Sequence, residues 1–290
     1  MDVSIRIVHV SDMHLEPAEN EQYPGLAERV ERIADVIRSL HPDLVVATGD
    51  LTNRGSSRAE DLDLAKRWLD GLRAPYLAVP GNHDLGANRK RGELFPEAER
   101  YEESPYAQTG YARAFGQNVI TRAAIGDLTV FGIALREEDP DGALDQLARA
   151  LTASKGPVVV AGHYPVVAAR DWPSAEAFGS QGYVDEAAPR LVNLIRGNPQ
   201  VIAYLCGHVH LTSLRPIGER CQQFTAGGVG PGAAALRLYE WDGRDWSYAT
   251  LDVEGPQTFW EDFSESARRD PHFSTGASAE RDGTWSPPAH

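Results

Sequence analysis

Apolar positions along the first eighty residues follow two alternating rhythms. Runs rich in β-branched residues, 5-IRIVHV-10, 44-LVVAT-48 and 76-YLAV-79, read as strands buried on both faces. Between them, 26-LAERVERIADVIRSL-40 puts Leu26, Val30, Ile33, Ile37 and Leu40 on one helical face, and 59-AEDLDLAKRWLDGL-72 reads as a second helix. This order predicts parallel strands whose carboxyl ends share a rim. A polar stretch from about Gly86 to Tyr111, mixing Arg89, Lys90 and Arg91 with Glu97, Glu99, Glu102 and Glu103, breaks the rhythm and predicts a long surface excursion. The rhythm resumes with strands at 119–125 and 128–135, a helix at 142–153, a strand at 157–162, a helix at 185–197 and a strand at 201–206. Short runs at 211–217, 221–226, 234–241 and 246–253, separated by Gly-rich turns, then predict antiparallel strands. Two sheets are expected, one from each half of the chain, packed together with helices outside. The expected domain spans residues 1–254. Residues 255–290, rich in Pro, Ser, Gly and charge, predict a loosely ordered tail, with docking of Phe259, Trp260, Phe263, Phe273 and Trp285 as the alternative.

Composition narrows the partners. A chain of 290 residues, 42% hydrophobic, can bury a full core. A net charge of −14 argues against a surface that holds nucleic acid polymers or anionic membrane, and favours small-molecule partners. No apolar run is long enough to cross a bilayer, and the opening residues run into a strand without a cleavable signal, so the cytoplasm is the expected compartment. Cys206 and Cys221 make no disulfide framework and suit reduced, buried thiols, although a bridge between neighbouring strands stays open. The oligomeric state is not determined; a homodimer is compatible with the sequence.

The chemistry sits at the strand ends. Ser11-Asp12-Met13-His14 follows the first strand, Gly49-Asp50 the second and Gly81-Asn82-His83-Asp84 the third; Gly162-His163 and Gly207-His208-Val209-His210 follow two later ones. The pair His208 and His210 is a weak signal alone. Five strand ends converging on one rim are a strong one. A Gly beside four of the five clusters would let the backbone turn sharply there. Asp12, His14, Asp50, Asn82, His163, His208 and His210 offer imidazoles, carboxylates and an amide, a set suited to Mn, Fe or Zn, and too many for one ion. Two ions about 4 Å apart, sharing a carboxylate, would use them all, with Asp50 the natural bridge. Two residues apart on an extended strand, His208 and His210 would project to one side and serve both ions.

This ordered set, D-x-H, G-D, G-N-H-D, G-H and G-H-x-H, resembles the calcineurin-like metallophosphoesterase superfamily from Asp12 to His210. The resemblance implies a four-layered α/β/β/α sandwich with two mixed sheets. It also implies one divalent or trivalent ion on Asp12, His14, Asp50 and His210, and a second on Asp50, Asn82, His163 and His208. A hydroxide bridging such ions is nucleophilic at neutral pH, so hydrolysis of a phosphate ester is the expected reaction. His83, not needed as a ligand, is the candidate general acid or transition-state stabiliser, and Asp84 is expected to hydrogen-bond it and fix its tautomer. The segments 10-VSDMHL-15, 48-TGDLTNRG-55 and 79-VPGNHD-84 are most similar to the branch of class III cyclic-nucleotide phosphodiesterases and glycerophosphodiesterases. At 162-GHYP-165 the chain departs from that branch, where a second histidine commonly precedes the proline. The expected substrate is a small diester, a cyclic nucleotide preferred; the alternatives are a phosphomonoesterase acting on a nucleotide or sugar phosphate, and a non-catalytic scaffold.

Other polar residues have plainer readings. His9, inside the first strand, suits a hydrogen-bonded core histidine; His41, before Pro42, suits a helix end; His272 and His290 carry no signal. Asn53 and Arg54 are balanced between capping the next turn and reaching substrate phosphate. Tyr164 and Pro165 are expected to shape the rim, with Tyr164 a candidate substrate contact. Arg89, Lys90 and Arg91 read as a solvated loop or a phosphate-facing one.

Overall fold

Three parallel strands build the first layer. β1 (Ile5–Val10), β2 (Leu44–Thr48) and β3 (Tyr76–Val79) are joined by α1 (Leu26–Leu40) and α2 (Ala59–Gly71), close to the predicted bounds. The computed structural model describes residues 4–17, 25–86, 104–170, 187–230, 234–253 and 272–288. Along β1, Ile5 and Ile7 enter one apolar layer, whereas Val8 and Val10 enter another with Val30, Ile33 and Ile37 of α1. That two-sided burial is why the strand lacks a clean polar alternation. α1 stops at His41, whose left-handed backbone (φ 48°) turns the chain ahead of Pro42 while its N–H reaches the Arg38 carbonyl.

The remaining elements are α3 (Asn82–Leu85), α4 (Gly110–Phe115), β4 (Ile120–Ile125), β5 (Leu128–Ile133), α5 (Ala143–Ala153), β6 (Val158–Ala161), α6 (Ala187–Arg196), β7 (Val201–Cys206), β8 (Ser213–Pro216), β9 (Gln222–Thr225), β10 (Ala235–Trp241), β11 (Trp246–Asp252), α7 (His272–Thr275), α8 (Ser278–Arg281) and β12 (Gly283–Trp285). They form two mixed six-stranded sheets, β12-β11-β10-β1-β2-β3 and β4-β5-β6-β7-β9-β8. Between the sheets lie Ile7, Val46, Val130, Val159, Leu205, Phe224, Tyr239 and Trp246. The outer faces pack on α1 and α2 on one side and on α5 and α6 on the other, so the layers run α/β/β/α as the resemblance implied.

The sheets are not the two halves of the chain. β10 returns to pair antiparallel with β1, Ile7 opposite Tyr239, and β9 joins β7 in parallel. Periodicity reports which face of a strand is apolar, not which strand lies beside it. The C-terminal stretch also differs from the expected tail. β12 pairs antiparallel with β11, Trp285 opposite Trp246, and Phe273 is 7% exposed. Two well-placed aromatics dock this piece despite its polar average composition. Phe259, Trp260, Phe263 and His290, the greater part of the predicted excursion with Arg89, Lys90 and Arg91, and the start of the 185–197 helix lie outside the described residues. Cys206 and Cys221 are buried and unbridged, and burial pushes both thiols up, Cys206 to about 12. Among the described residues, no helix is long and apolar enough to cross a membrane.

Candidate metal centre

All five strand ends meet on one rim, and the backbone there is unusual. Asp12, His14, Asp50, His208 and His210 all take left-handed conformations, with φ of 55°, 49°, 46°, 68° and 52°. Such residues persist where surrounding bonds over-determine them, and they cluster at functional sites. Asp12 N–H donates to the Gly49 carbonyl and His14 N–H to the Asp50 carbonyl, both at 3.0 Å, tying the β1 loop to the β2 loop. His208 and His210 therefore sit in a tight turn beyond β7, and their approach to one site does not come from strand alternation. Of the four glycines beside the motifs, Gly49 alone has positive φ (87°), and a Cβ there would come within 2.5 Å of His163 Nδ1. Gly207 serves by its missing Cβ, which would collide with the Ser11 hydroxyl and the Asp12 carboxylate.

Two clusters result. Asp12, His14 and His210 form the first and Asp50, His163 and His208 the second, each with its candidate ligand atoms within 4.8 Å of one another. In the first, His14 Nε2 lies 3.4 Å from His210 Nε2, which lies 3.3 Å from Asp12 Oδ1. In the second, His163 Nε2 faces His208 Nδ1 at 3.1 Å, Asn82 Oδ1 at 3.2 Å and Asp50 Oδ2 at 3.3 Å. Asp50 stands between them, with Oδ2 also 3.9 Å from His14 Nε2. All seven residues are buried.

The donor set fits cations. His163 Nδ1–H donates to the Thr48 carbonyl at 2.7 Å, which fixes the tautomer and turns the Nε2 lone pair toward three groups that also carry lone pairs. Facing acceptors repel unless a positive charge lies among them. Burial alone would lower the His163 pKa, but the Asp50 carboxylate, followed by Asp12, lifts it to about 9, so the site draws in a proton. Burial would raise the Asp50 carboxyl, yet the His163, His83 and His14 imidazoles hold it well below the usual range. His14 is pushed well below its ordinary value by burial first and then by His83, leaving it neutral, the form a metal requires.

The half-buried His83 joins His14 and Asp50 in a third group, its ring edge-on to His14 with centroids 4.6 Å apart. Its N–H donates to Asp50 Oδ1 at 2.8 Å, and its Nδ1–H to the Asn53 carbonyl at 2.8 Å. The Asn53 backbone therefore fixes the tautomer, and Asp84 does not. Asp84 instead accepts from Leu51 N–H, Thr52 N–H, the Thr52 hydroxyl and Gly81 N–H, clasping the β2 loop to the β3 loop. Burial and then Asp50 push its carboxyl up to about 7, whereas these four donors favour the ionised form. The Asn53 side chain lies 3.5 Å from the Glu16 carboxylate and also bonds His14, and Arg54 is exposed. Tyr164 is 8% exposed, its ring 4.9 Å from that of His163 and 4.6 Å from that of His208. His9 bonds Tyr239 and Thr48 inside the core, as its position in the strand suggests. The carbonyls of Thr48 and Asn53 could not be found by sequence reasoning, because a backbone acceptor leaves no residue signature.

A sandwich carrying this rim, with side chains that could hold metal ions, has the form of a metal-dependent phosphoester hydrolase. The chain belongs to the calcineurin-like phosphoesterase family, whose model matches residues 5–211. It is 28% identical over 223 residues, 74% of each chain, to a probable cyclic nucleotide phosphodiesterase of Moraxella catarrhalis. A shorter match, 37% identical over 83 residues, covers 27% of this chain and 29% of the glycerophosphodiester phosphodiesterase GpdQ of Enterobacter lignolyticus. Among solved structures, a dimetal phosphatase from Danio rerio superposes with a TM-score of 0.61 at 15% identity, covering 86% of this chain and 98% of that one, a likeness of fold.

Proposed function

We propose that the protein is a cytoplasmic phosphodiesterase acting on a small diester, a cyclic nucleotide preferred. The reading rests on one observation: two acceptor-rich clusters, with Asp50 of the second reaching to within 3.9 Å of His14 in the first. Asp12, His14, Asp50 and His210 would hold one ion, and Asp50, Asn82, His163 and His208 the other, with Mn, Fe and Zn all suited to these donors. When bound, the ions would supply an activated water as nucleophile and neutralise charge on the phosphoryl oxygens. The protein does the rest. His83, its Nδ1–H held by Asn53, can carry a proton on Nε2 for the leaving oxygen as the general acid, or stabilise the developing charge. Asp84 acts at one remove, by keeping the loops of Asp50 and His83 in register. Tyr164 braces the rings of His163 and His208, which replaces substrate contact as its main role, while the exposed Arg54 is free to attract an anionic ester. The cyclic-nucleotide preference draws on the Moraxella relative, matched over three quarters of both chains, against the short glycerophosphodiesterase match.

The test compares bis-p-nitrophenyl phosphate with p-nitrophenyl phosphate in added Mn, then cyclic nucleotides with glycerophosphodiesters. At least a tenfold preference for the diester is expected, with His208→Ala inactive but folded. Preference for the monoester would make it a phosphomonoesterase. Absence of both metal and hydrolysis would leave a scaffold.

A further inference from the structure

The turn carrying His208 and His210 is strained at both histidines, and something must hold it. At its start, His208 N–H donates to the Asp12 carboxylate at 3.0 Å and Gly207 N–H to the His163 carbonyl at 2.9 Å. At its end, two residues past His210, the bonds come from Ser274 and from two arginines. Thr212 N–H donates to the Ser274 carbonyl at 2.9 Å, and the Thr212 carbonyl accepts from Arg170 Nη2 at 2.6 Å. The next carbonyl, of Ser213, accepts from Arg237 Nη1 at 2.8 Å.

Both arginines also grip the C-terminal segment. Arg170 bonds the Phe273 carbonyl at 2.9 Å and the Glu280 carboxylate at 2.7 Å, and Arg237 bonds the Glu280 carbonyl. Both are buried, Arg237 completely. Arg237 Nε has no hydrogen-bond partner among the described residues, but the Nη groups of both arginines are paired across the same two segments, and opening the junction would leave these buried donors unpaired as well. Arg170 lies seven residues beyond His163, which ties a second candidate ligand loop to the same point.

We infer that Arg170 and Arg237 are positioning residues that clamp the C-terminal segment, through Phe273, Ser274 and Glu280, onto the exit of the histidine turn, and so set its readiness to hold metal. The inference rests on the metal-centre reading above. A partner that orients a ligand from behind typically changes metal affinity 10- to 100-fold when removed. Glu280→Gln removes the charge that Arg170 meets and keeps the side-chain shape. Arg170→Lys and Arg237→Lys keep the charge and lose the planar fork of donors.

The experiment measures the Mn dissociation constant and ion count of the full chain by titration calorimetry and elemental analysis. Alongside run the three variants and Ile37→Val, a remote core change that lowers stability without touching the turn. Wild type is expected to hold two ions, Ile37→Val to match it, and the clamp variants to bind at least tenfold more weakly. Glu280→Gln decides the case if either arginine variant fails to fold. Clamp variants that bind like wild type, or an Ile37→Val variant weakened equally, would overturn the inference. A wild type that binds no Mn would instead overturn the metal centre itself.

Discussion

The two sheets contribute to one site in different ways. The first, at the ends of β1, β2 and β3, supplies every carboxylate and the amide, and it is held by its own bonds: Asp84 clasps two of its loops, and Asp12 N–H and His14 N–H reach the β2 loop. The second, at the ends of β6 and β7, supplies only imidazoles, and it leans on the first. His163 is oriented by the Thr48 carbonyl and His208 by the Asp12 carboxylate. Damage to the first rim should therefore spread to the second, and the reverse should not.

Asp12→Ala and His163→Ala probe that asymmetry most strongly. Asp12→Ala removes a candidate ligand and the anchor of the His208 turn together. It is expected to lose both ions and at least about 10³-fold in kcat, each tenfold being about 1.4 kcal/mol of barrier. His163→Ala is expected to keep the ion of the Asp12, His14 and His210 cluster, so elemental analysis should find one ion per chain. Equal losses in both variants would make the rims mutually dependent.

Asp84→Ala tests whether the first rim holds itself. It strands four donors that now share one carboxylate, so denaturant unfolding should show a loss of about 3 kcal/mol. A loss in kcat without a loss of stability would return Asp84 to a direct role at His83.

The smallest expected effect comes from His9, in the core beneath the first rim. Burial, and then Arg237, lower its pKa from 6.5 to about 3. Between these values the unfolded chain binds a proton that the folded chain does not. The contribution to stability is thus full above pH 6.5 and is lost as the pH falls toward 3. From pH 7 to pH 5, wild type should lose about 2 kcal/mol more than His9→Gln. Parallel pH profiles for the two proteins would mean that His9 is charged when folded.

What could be read from the sequence divides along similar lines. Strand and helix bounds were legible wherever both faces of a strand are apolar, and the seven candidate ligands were legible because ligand-type side chains recur after strands in one order. Three things were hidden. Strand neighbours such as β1 and β10 depend on contacts more than two hundred residues apart. The support of His83 and His163 comes from carbonyls, which every residue has. The docking of residues 272–288 depends on single aromatics and on arginines far away in the chain, so local composition argued the other way.

The return of β10 to the flank of β1 also bears on how the chain comes off the ribosome. β1 is made ahead of its antiparallel neighbour, which follows some 225 residues later. At 5–20 residues per second that interval is roughly ten seconds or longer, during which a strand built of isoleucine and valine keeps one edge unpaired. The clamp at Thr212 closes later still, once residues 272–285 have emerged. Slow synthesis or early termination would thus expose an aggregation-prone edge before any metal could be captured.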